Sequence, residues 1–310
     1  MSQTDLTRSA TPPAKGPVEE FTTLAPSPRA LMRRRAKSHA GFIIGMSIIV
    51  FFCIVAIFAP FLAPHDPYDQ NLSARLLDPV WGPKGSWEHI FGTDAFGRDV
   101  LSRLMYGARL SLMIGFTAAF IAGVIGVTLG IVGGYFGGKV DAVVVYLINV
   151  KLALPVILVA LSIASISGGS IIVLILVLGL LTWDRYAVVV RSLTQQMRDQ
   201  EFVLSSLAAG ASHTRIIFRE ILPNLTNQII VVASLDMAII ILIEAALSFL
   251  GLGVRPPTPS WGLMVAEARA VMFFKPHLIM VPGAAIFLLV IAINMAGDGI
   301  RDVTSPEGRG

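Results

Sequence analysis

The stretch GFIIGMSIIVFFCIVAIFAPFL, Gly41 to Leu62, carries no charged residue along its whole length. A helix rises about 1.5 Å per residue, so a run this long crosses the roughly 30 Å hydrocarbon core of a bilayer. Five further apolar runs follow, roughly Leu110 to Val132, Ala142 to Ile166, Ser170 to Val190, Asn227 to Leu250 and Leu278 to Ala296, each bounded by charged, Gly-rich or Pro-rich sequence. Unpaired backbone groups are costly in lipid, and the runs lack the ten-residue alternation of a barrel, so all six are read as helices. The expected fold class is an all-α membrane protein with six transmembrane helices.

Composition points the same way. Hydrophobic residues make up 55% of the chain and charged residues 14%, with a mean hydropathy of +0.74, which leaves too little polar sequence to clothe a soluble globule. The formal net charge is +4, but the basic residues cluster at the ends of the apolar runs, where a membrane protein needs them, and nucleic-acid binding is set aside. The single cysteine, Cys53, lies within the first run, so an intrachain disulfide is excluded. That run starts about forty residues in and ends in APFLAPHDP, which fits a retained helix better than a cleaved signal sequence.

Arg29 to Lys37 (RALMRRRAK) precede the first run and, by the positive-inside rule, place the N-terminus in the cytoplasm. Six crossings return the C-terminus there. The inner segments then hold about fourteen Lys and Arg and the outer segments about eight. Residues 1–28, rich in Ser, Thr, Pro and charge, read as a tail too polar to fold alone. The chain is thus divided into a cytoplasmic tail (1–40), a first helix with an outer segment (41–106), a core of the remaining membrane helices (107–297) with an inner connection at 191–224, and a second cytoplasmic tail (298–310). The outer segment from His65 to Tyr106 carries Trp81 and Trp87 and reads as a structured cap near the interface.

The inner connection contains EFVLSSLAAGASHTRIIFREILPN, Glu201 to Asn224. A short helix of apolar and small residues is expected to stop at Gly210, which can take the left-handed capping conformation, and a second helical stretch is expected to close at Leu222 and Pro223. The small residues Ser205, Ser206, Ala208 and Ala209 would let a partner approach closely. On pattern alone, a docking element and an amphipathic linker on the membrane surface are both open.

This segment resembles the EAA loop of ABC importer permeases, matched at Ser205, Ser206, Gly210, Leu222 and Pro223, with Leu204 where a glutamate is usual. HIFGTDAFGRDVLSRLMYGARLSL (His89 to Leu112), SFLGLGVRPPTPSWG (Ser248 to Gly262) and GDGIRD (Gly297 to Asp302) are similar to the corresponding parts of dipeptide/oligopeptide permeases. The resemblance runs from about residue 40 onward. It implies a type I ABC importer permease (MetI-like) fold and a place in the bacterial cytoplasmic (inner) membrane. It also implies a second homologous permease, two ATPase subunits and an extracytoplasmic solute-binding protein as partners. ATP and magnesium would bind those ATPases and no cofactor this chain. Glu201, Phe202, Val203, Leu204, Ser205, Ser206, Leu207, Ala208, Ala209 and Gly210, with Leu222 and Pro223, would couple to the ATPases. The outer loop with Gly251, Pro256, Pro257 and Trp261 would meet the binding protein. Val188 stands where related permeases commonly show arginine, and Asn149 and Lys151 where an aspartate is usual.

Physical readings stand beside these. Asp94, Arg98 and Asp99 read as a salt-bridged loop shaping the cap. In GVRPPTPSWG the prolines stiffen the backbone and Trp261 is expected to anchor the loop at the interface; contact with an external protein and a packed lid remain open. Gly126, Gly130 and Gly134 recur every four residues and read as a close helix–helix contact. Ionisable residues inside spans default to functional roles, here Asp184, Arg185, Asp236 and Glu244. Asp236 and Glu244 are separated by roughly 12 Å along a helix and about 80° around it, so they are read either as lining one translocation path or as pairing with neighbouring helices. Gly133, Gly138 and Lys139 copy the spacing of a phosphate-binding loop but follow an apolar helix and lack the Ser or Thr for magnesium, so nucleotide binding is rejected. No His/Cys cluster, metal site or catalytic triad emerges from the sequence, and the chain is read as a non-catalytic subunit.

Overall fold

The computed structural model describes Ala36 and residues 39–304. The N-terminal tail, the basic residues of the cluster at 29–37 and residues 305–310 of the C-terminal tail lie outside the described residues. The helices are α1 Ala40–Leu62, α2 Val100–Phe136, α3 Gly138–Leu152, α4 Val156–Ser167, α5 Ile171–Thr182, α6 Asp184–Arg198, α7 Glu201–Ala208, α8 His213–Ile216, α9 Leu222–Phe249, α10 Trp261–Ala268 and α11 His277–Thr304. Among the described residues, five spans are long and apolar enough to cross a membrane: α1, α2, α5 continued by α6, α8 continued into α9, and α11. The pair α3 and α4 makes a sixth only as a bent span, broken by 74°.

That break corrects the expectation of one helix from Ala142 to Ile166. Pro155 caps α4; its ring provides no N–H for a helical hydrogen bond and pushes the preceding residue away from helical geometry. Helix α2 is the opposite case. It begins on Asp99, whose carboxylate accepts the Ser102 N–H at 2.7 Å, and runs 37 residues, about 55 Å, well past the predicted Leu110 to Val132.

α2 threads the three main apolar clusters. Ala108 and Leu112 pack with Phe52, Trp261 and Leu289 from α1, α10 and α11. Ile114 and Ala118 pack with Leu178 and Ile240 from α5 and α9. Ile131 and Tyr135 pack with Val190, Val203, Ile216 and Leu225. Large side chains such as Phe58, Phe61, Phe116, Phe120 and Ile166 remain exposed around the bundle, as lipid-facing residues should.

The glycine series on α2 is where the backbones come closest. A methyl at Gly126 would sit 2.6 Å from Tyr186 Cβ, one at Gly130 2.9 Å from Val190 Cβ, and one at Gly134 2.7 Å from Thr194 Cβ. All three partners lie on α6, so the stripe is a packing seam between α2 and α6, as its spacing predicted. Tyr186 closes the seam by donating its hydroxyl to the Ala119 carbonyl at 3.2 Å.

The segment between α1 and α2 folds into a cap around buried charges. Asp94 accepts the backbone N–H groups of Phe96 and Arg98 at 2.8 and 3.0 Å and pairs with Arg98 Nε at 2.7 Å and with Arg103 Nη1. Glu267 on α10 receives Arg98 Nη2 at 2.9 Å and Arg103 Nη1 at 2.7 Å. The salt-bridged loop read from Asp94, Arg98 and Asp99 is present, and it is anchored to a helix far along the chain. A second tie joins Asp78 to Lys275, just before α11.

Gly130→Leu is expected to overpack the seam and destabilise the bundle by about 1–3 kcal/mol, read as a lower midpoint of thermal unfolding in detergent; an unchanged midpoint would contradict the packing. The hydrogen bond from Lys275 holds the Asp78 carboxyl below its ordinary value. A depressed carboxylate stabilises the fold above its unfolded pKa and loses that contribution as pH falls through the folded value. Acidification into and below the usual carboxylate range should therefore lower amide protection around Asp78, measured as exchange relative to the intrinsic rate at each pH, and Lys275→Ala should remove that loss.

Candidate coupling and translocation site

α7 sits beyond the end of the α2–α6 seam marked by Gly134 and Thr194. Two residues separate it from α6, and one buried side chain seats it: Val203 is 2% exposed and packs into the cluster of Ile131, Tyr135, Val190, Ile216 and Leu225. Burying a valine stabilises by about 1.5–3 kcal/mol, enough to hold a two-turn helix in place. Ser206 adds a hydrogen bond to Glu220 at 2.6 Å, and Tyr135 bonds His213 at 2.9 Å. The remaining residues face outward. Phe202, Leu204 and Leu207 are 44%, 51% and 46% exposed, and Glu201, Ser205, Ala208 and Ala209 are also exposed.

Gly210 ends this helix with φ +83°. The Ala211 N–H reaches the Ser206 carbonyl at 3.0 Å and the Gly210 N–H that of Leu207 at 3.0 Å, the paired bonds of a Schellman stop. A side chain at Gly210 would meet nothing within 4 Å, so the requirement for glycine here is conformational.

Leu222 and Pro223 correct an expectation. They open α9 as its first two residues, where a proline's missing donor is tolerated, and do not close a stretch before it. The preceding residues Ile217–Ile221 form a π turn, with the Leu222 N–H bonded to the Ile217 carbonyl, so the chain stays helical from His213 to Phe249. The connection read as residues 191–224 is likewise shorter, because α6 continues to Arg198.

The ionisable residues within the spans separate into distinct places. Asp184, 4% exposed, pairs with Lys151 at the end of α3. Arg185 points elsewhere, with Nη1 3.8 Å from Asp236 on α9, whose carboxylate is fully buried near Thr182. Glu244, 1% exposed, accepts the hydroxyls of Ser248 at 2.9 Å and Ser260 at 3.1 Å. Arg185 and Asp236 are thus brought together, while Glu244 is engaged with serines at the root of the loop after α9.

That loop begins with a second Schellman stop at Gly251, φ +79°, in which the Leu252 N–H bonds the Leu247 carbonyl at 2.9 Å. Gly251, Pro256 and Pro257 are exposed, and the Pro256–Pro257 bond is cis. Trp261 corrects another expectation: it is 1% exposed, packed inside the protein instead of presented at a surface. Its indole N–H donates to the Leu104 carbonyl at 2.9 Å, and its ring meets Phe52 at 5.2 Å. Gly107 provides the space, since a methyl there would lie 2.8 Å from Trp261 Cδ1.

Sequence reasoning missed Arg103, Glu267 and Glu220 as partners. They lie far along the chain or on another helix face, and spacing carries no signal for either. It also found no cluster of metal-ligating residues, whereas the fold brings His65 beside Glu88 and His89.

Comparison with known proteins agrees with this architecture. Residues 126–309 match the family described as binding-protein-dependent transport system inner membrane component, and residues 27–79 match the N-terminal TM domain of oligopeptide transport permease C. The dipeptide transport system permease protein DppC of Alkalihalophilus pseudofirmus is 38% identical over 96% of this chain and 95% of that protein. The glutathione transport system permease protein GsiD of Escherichia coli O157:H7 is 38% identical over 90% of each chain. The MetNI methionine ABC transporter, solved in inward facing conformations, contains a chain that superimposes with a TM-score of 0.55 at 18% identity, over 66% of this chain and 97% of that one, which supports the fold alone. The helical bundle, the short α7 stopped by Gly210 and these relatives lead to one conclusion: the chain belongs to the binding-protein-dependent transport system inner membrane component family, as an ABC importer permease of the dipeptide/oligopeptide group.

Proposed function

We propose that this chain forms, with a second homologous permease, the translocation path for peptides or related small solutes, and that two ATPase subunits drive it through α7. The observation that carries this reading is α7 itself: a short helix fastened by Val203 to the bundle core, presenting Phe202, Leu204 and Leu207 outward and stopped by a glycine in open space. Such a face fits a groove on a separate motor protein. ATP and magnesium belong to that motor, and this chain is a non-catalytic subunit of the inner membrane.

A solute-binding protein would approach from the other side, where Gly251, Pro256 and Pro257 are exposed and the serines bonded to Glu244 stiffen the loop base. Trp261 would act from behind, as the packed support of that loop. With both termini in the cytoplasm, α7 and the outer loop lie on opposite faces. Closure of the ATPases would push α7, and the α2–α6 seam would carry the push into the bundle as a rigid-body switch of access. The pair of exposed Arg185 with buried Asp236 and the Lys151 and Asp184 pair lie between the two faces, where such a movement must rearrange them. Peptide substrates are supported by the names of the relatives, which include dipeptide and glutathione transport permeases.

Cys53 is the single native cysteine, so a Cys53→Ser background permits site-directed cross-linking. Ser205→Cys, exposed on α7, is expected to capture the ATPase subunit in membranes, with a yield that changes on adding nucleotide. Failure to capture any ATPase would count against the docking role. Gly210→Val forces a β-branched residue into left-handed geometry at a strain of about 1–3 kcal/mol. It should reduce uptake to near background with normal membrane levels, and wild-type uptake by this variant would contradict coupling through α7.

A further inference from the structure

Three side chains that the transport scheme leaves unused meet in the cap between α1 and α2. His65 follows α1 closely, while Glu88 and His89 come at the far end of the cap, before α2. The fold brings one nitrogen or oxygen from each within 4.8 Å of the other two. The imidazoles of His65 and His89 face each other with ring centroids 4.6 Å apart and planes tilted by 34°.

Behind them stands Asp99, buried at the N-terminus of α2. Its Oδ2 accepts the Ser102 N–H at 2.7 Å, and its Oδ1 lies 3.0 Å from His89 Nδ1 and 3.9 Å from His65 Nδ1. A carboxylate on one ring nitrogen fixes the tautomer and turns the other nitrogen outward as a lone-pair donor, the usual support behind a metal-binding histidine. His65 Nδ1 is buried and has no hydrogen bond. The backbone of His65 is nevertheless held, since its N–H donates to Ser102 Oγ at 3.0 Å. The ring is therefore placed by the same helix terminus that orients His89. Glu88 is exposed and leaves the cluster open to an ion from solution.

We propose that His65, Glu88 and His89 form a binding site for a divalent transition ion of the zinc class, with Asp99 as the supporting carboxylate of His89. Two imidazole nitrogens and one carboxylate oxygen are the donor set of a zinc-type ion; calcium and magnesium favour oxygen-only sites. Three protein ligands leave a fourth position to water. The ion would fasten the exit of α1 to the entry of α2 and so brace the whole cap, next to the ion pairs of Asp94 and Arg98.

The test uses the full-length chain in detergent, freed of any affinity tag and stripped with a chelator. It is titrated with Zn²⁺ against a chromophoric competitor, and with Co²⁺ as a spectroscopic probe. One saturable Zn²⁺ site per chain is expected, with visible Co²⁺ bands of a four- or five-coordinate site and a higher unfolding midpoint in Zn²⁺. Glu88→Gln, at an exposed position that leaves the fold intact, should weaken binding by roughly tenfold or more, and His65→Ala should abolish both the cobalt bands and the stabilisation. The absence of saturable binding in the wild-type chain, or binding unchanged in both variants, would overturn the proposal.

Discussion

The α2–α6 seam underlies the rest of the structure. In lipid the hydrophobic effect does little to hold helices together, so association rests on close van der Waals contact, and close contact requires side chains small enough to let backbones meet. Gly126, Gly130 and Gly134 meet that requirement along one face of α2. Because α2 also threads the three main apolar clusters, fixing α6 against it fixes α1 and α11 at one end and α9 at the other, with the root of α7 beyond. A long central helix with small residues on one side thus serves as the mast of the bundle.

Much of this was legible in the sequence, and the reasons differ from part to part. Apolar length announces a span because the bilayer has a fixed thickness, and a four-residue glycine period announces a seam because the helical repeat is fixed. The glycine stops at Gly210 and the salt-bridged cap were readable because each depends on local chemistry. The bend at Pro155 was missed although its cause was in view: the surrounding apolar run outweighed a single proline. Leu222 and Pro223 were misplaced for the converse reason. A Leu-Pro pair usually ends a helix, but the π turn just before it lets the chain stay helical through the proline. Trp261 follows the same lesson, since an aromatic at a loop end belongs at the interface unless a glycine on a neighbouring helix opens a slot for it.

What the sequence did not yield are partnerships across the fold. Arg98 with Glu267, Lys151 with Asp184 and His65 with Asp99 join residues from different parts of the chain, and no local pattern encodes such meetings. These pairs share a trait. Each ties a chain segment that could otherwise move to a helix that is firmly packed. The cap is held to α10, the bent α3 to α6, and the exit of α1 to the entry of α2. Charges in or near a membrane are expensive to strand, so every such tie is also a constraint on which movements the bundle can make.

The functional reading rests on α7 being part of the bundle and not a flexible tether. Its one buried side chain lies in the same cluster as Ile131 on α2 and Val190 on α6, so a push on α7 should arrive at the seam without loss. Pulsed electron resonance on the assembled transporter can decide this, with one spin label at Leu207 and another at Phe136, both exposed. The distance between these labels should keep one distribution with and without nucleotide, while the distance from Leu207 to an outer label at Pro257 shifts. A Leu207 to Phe136 distance that broadens or jumps on adding nucleotide, with the outer label still, would show that α7 moves on its own and that the seam carries nothing.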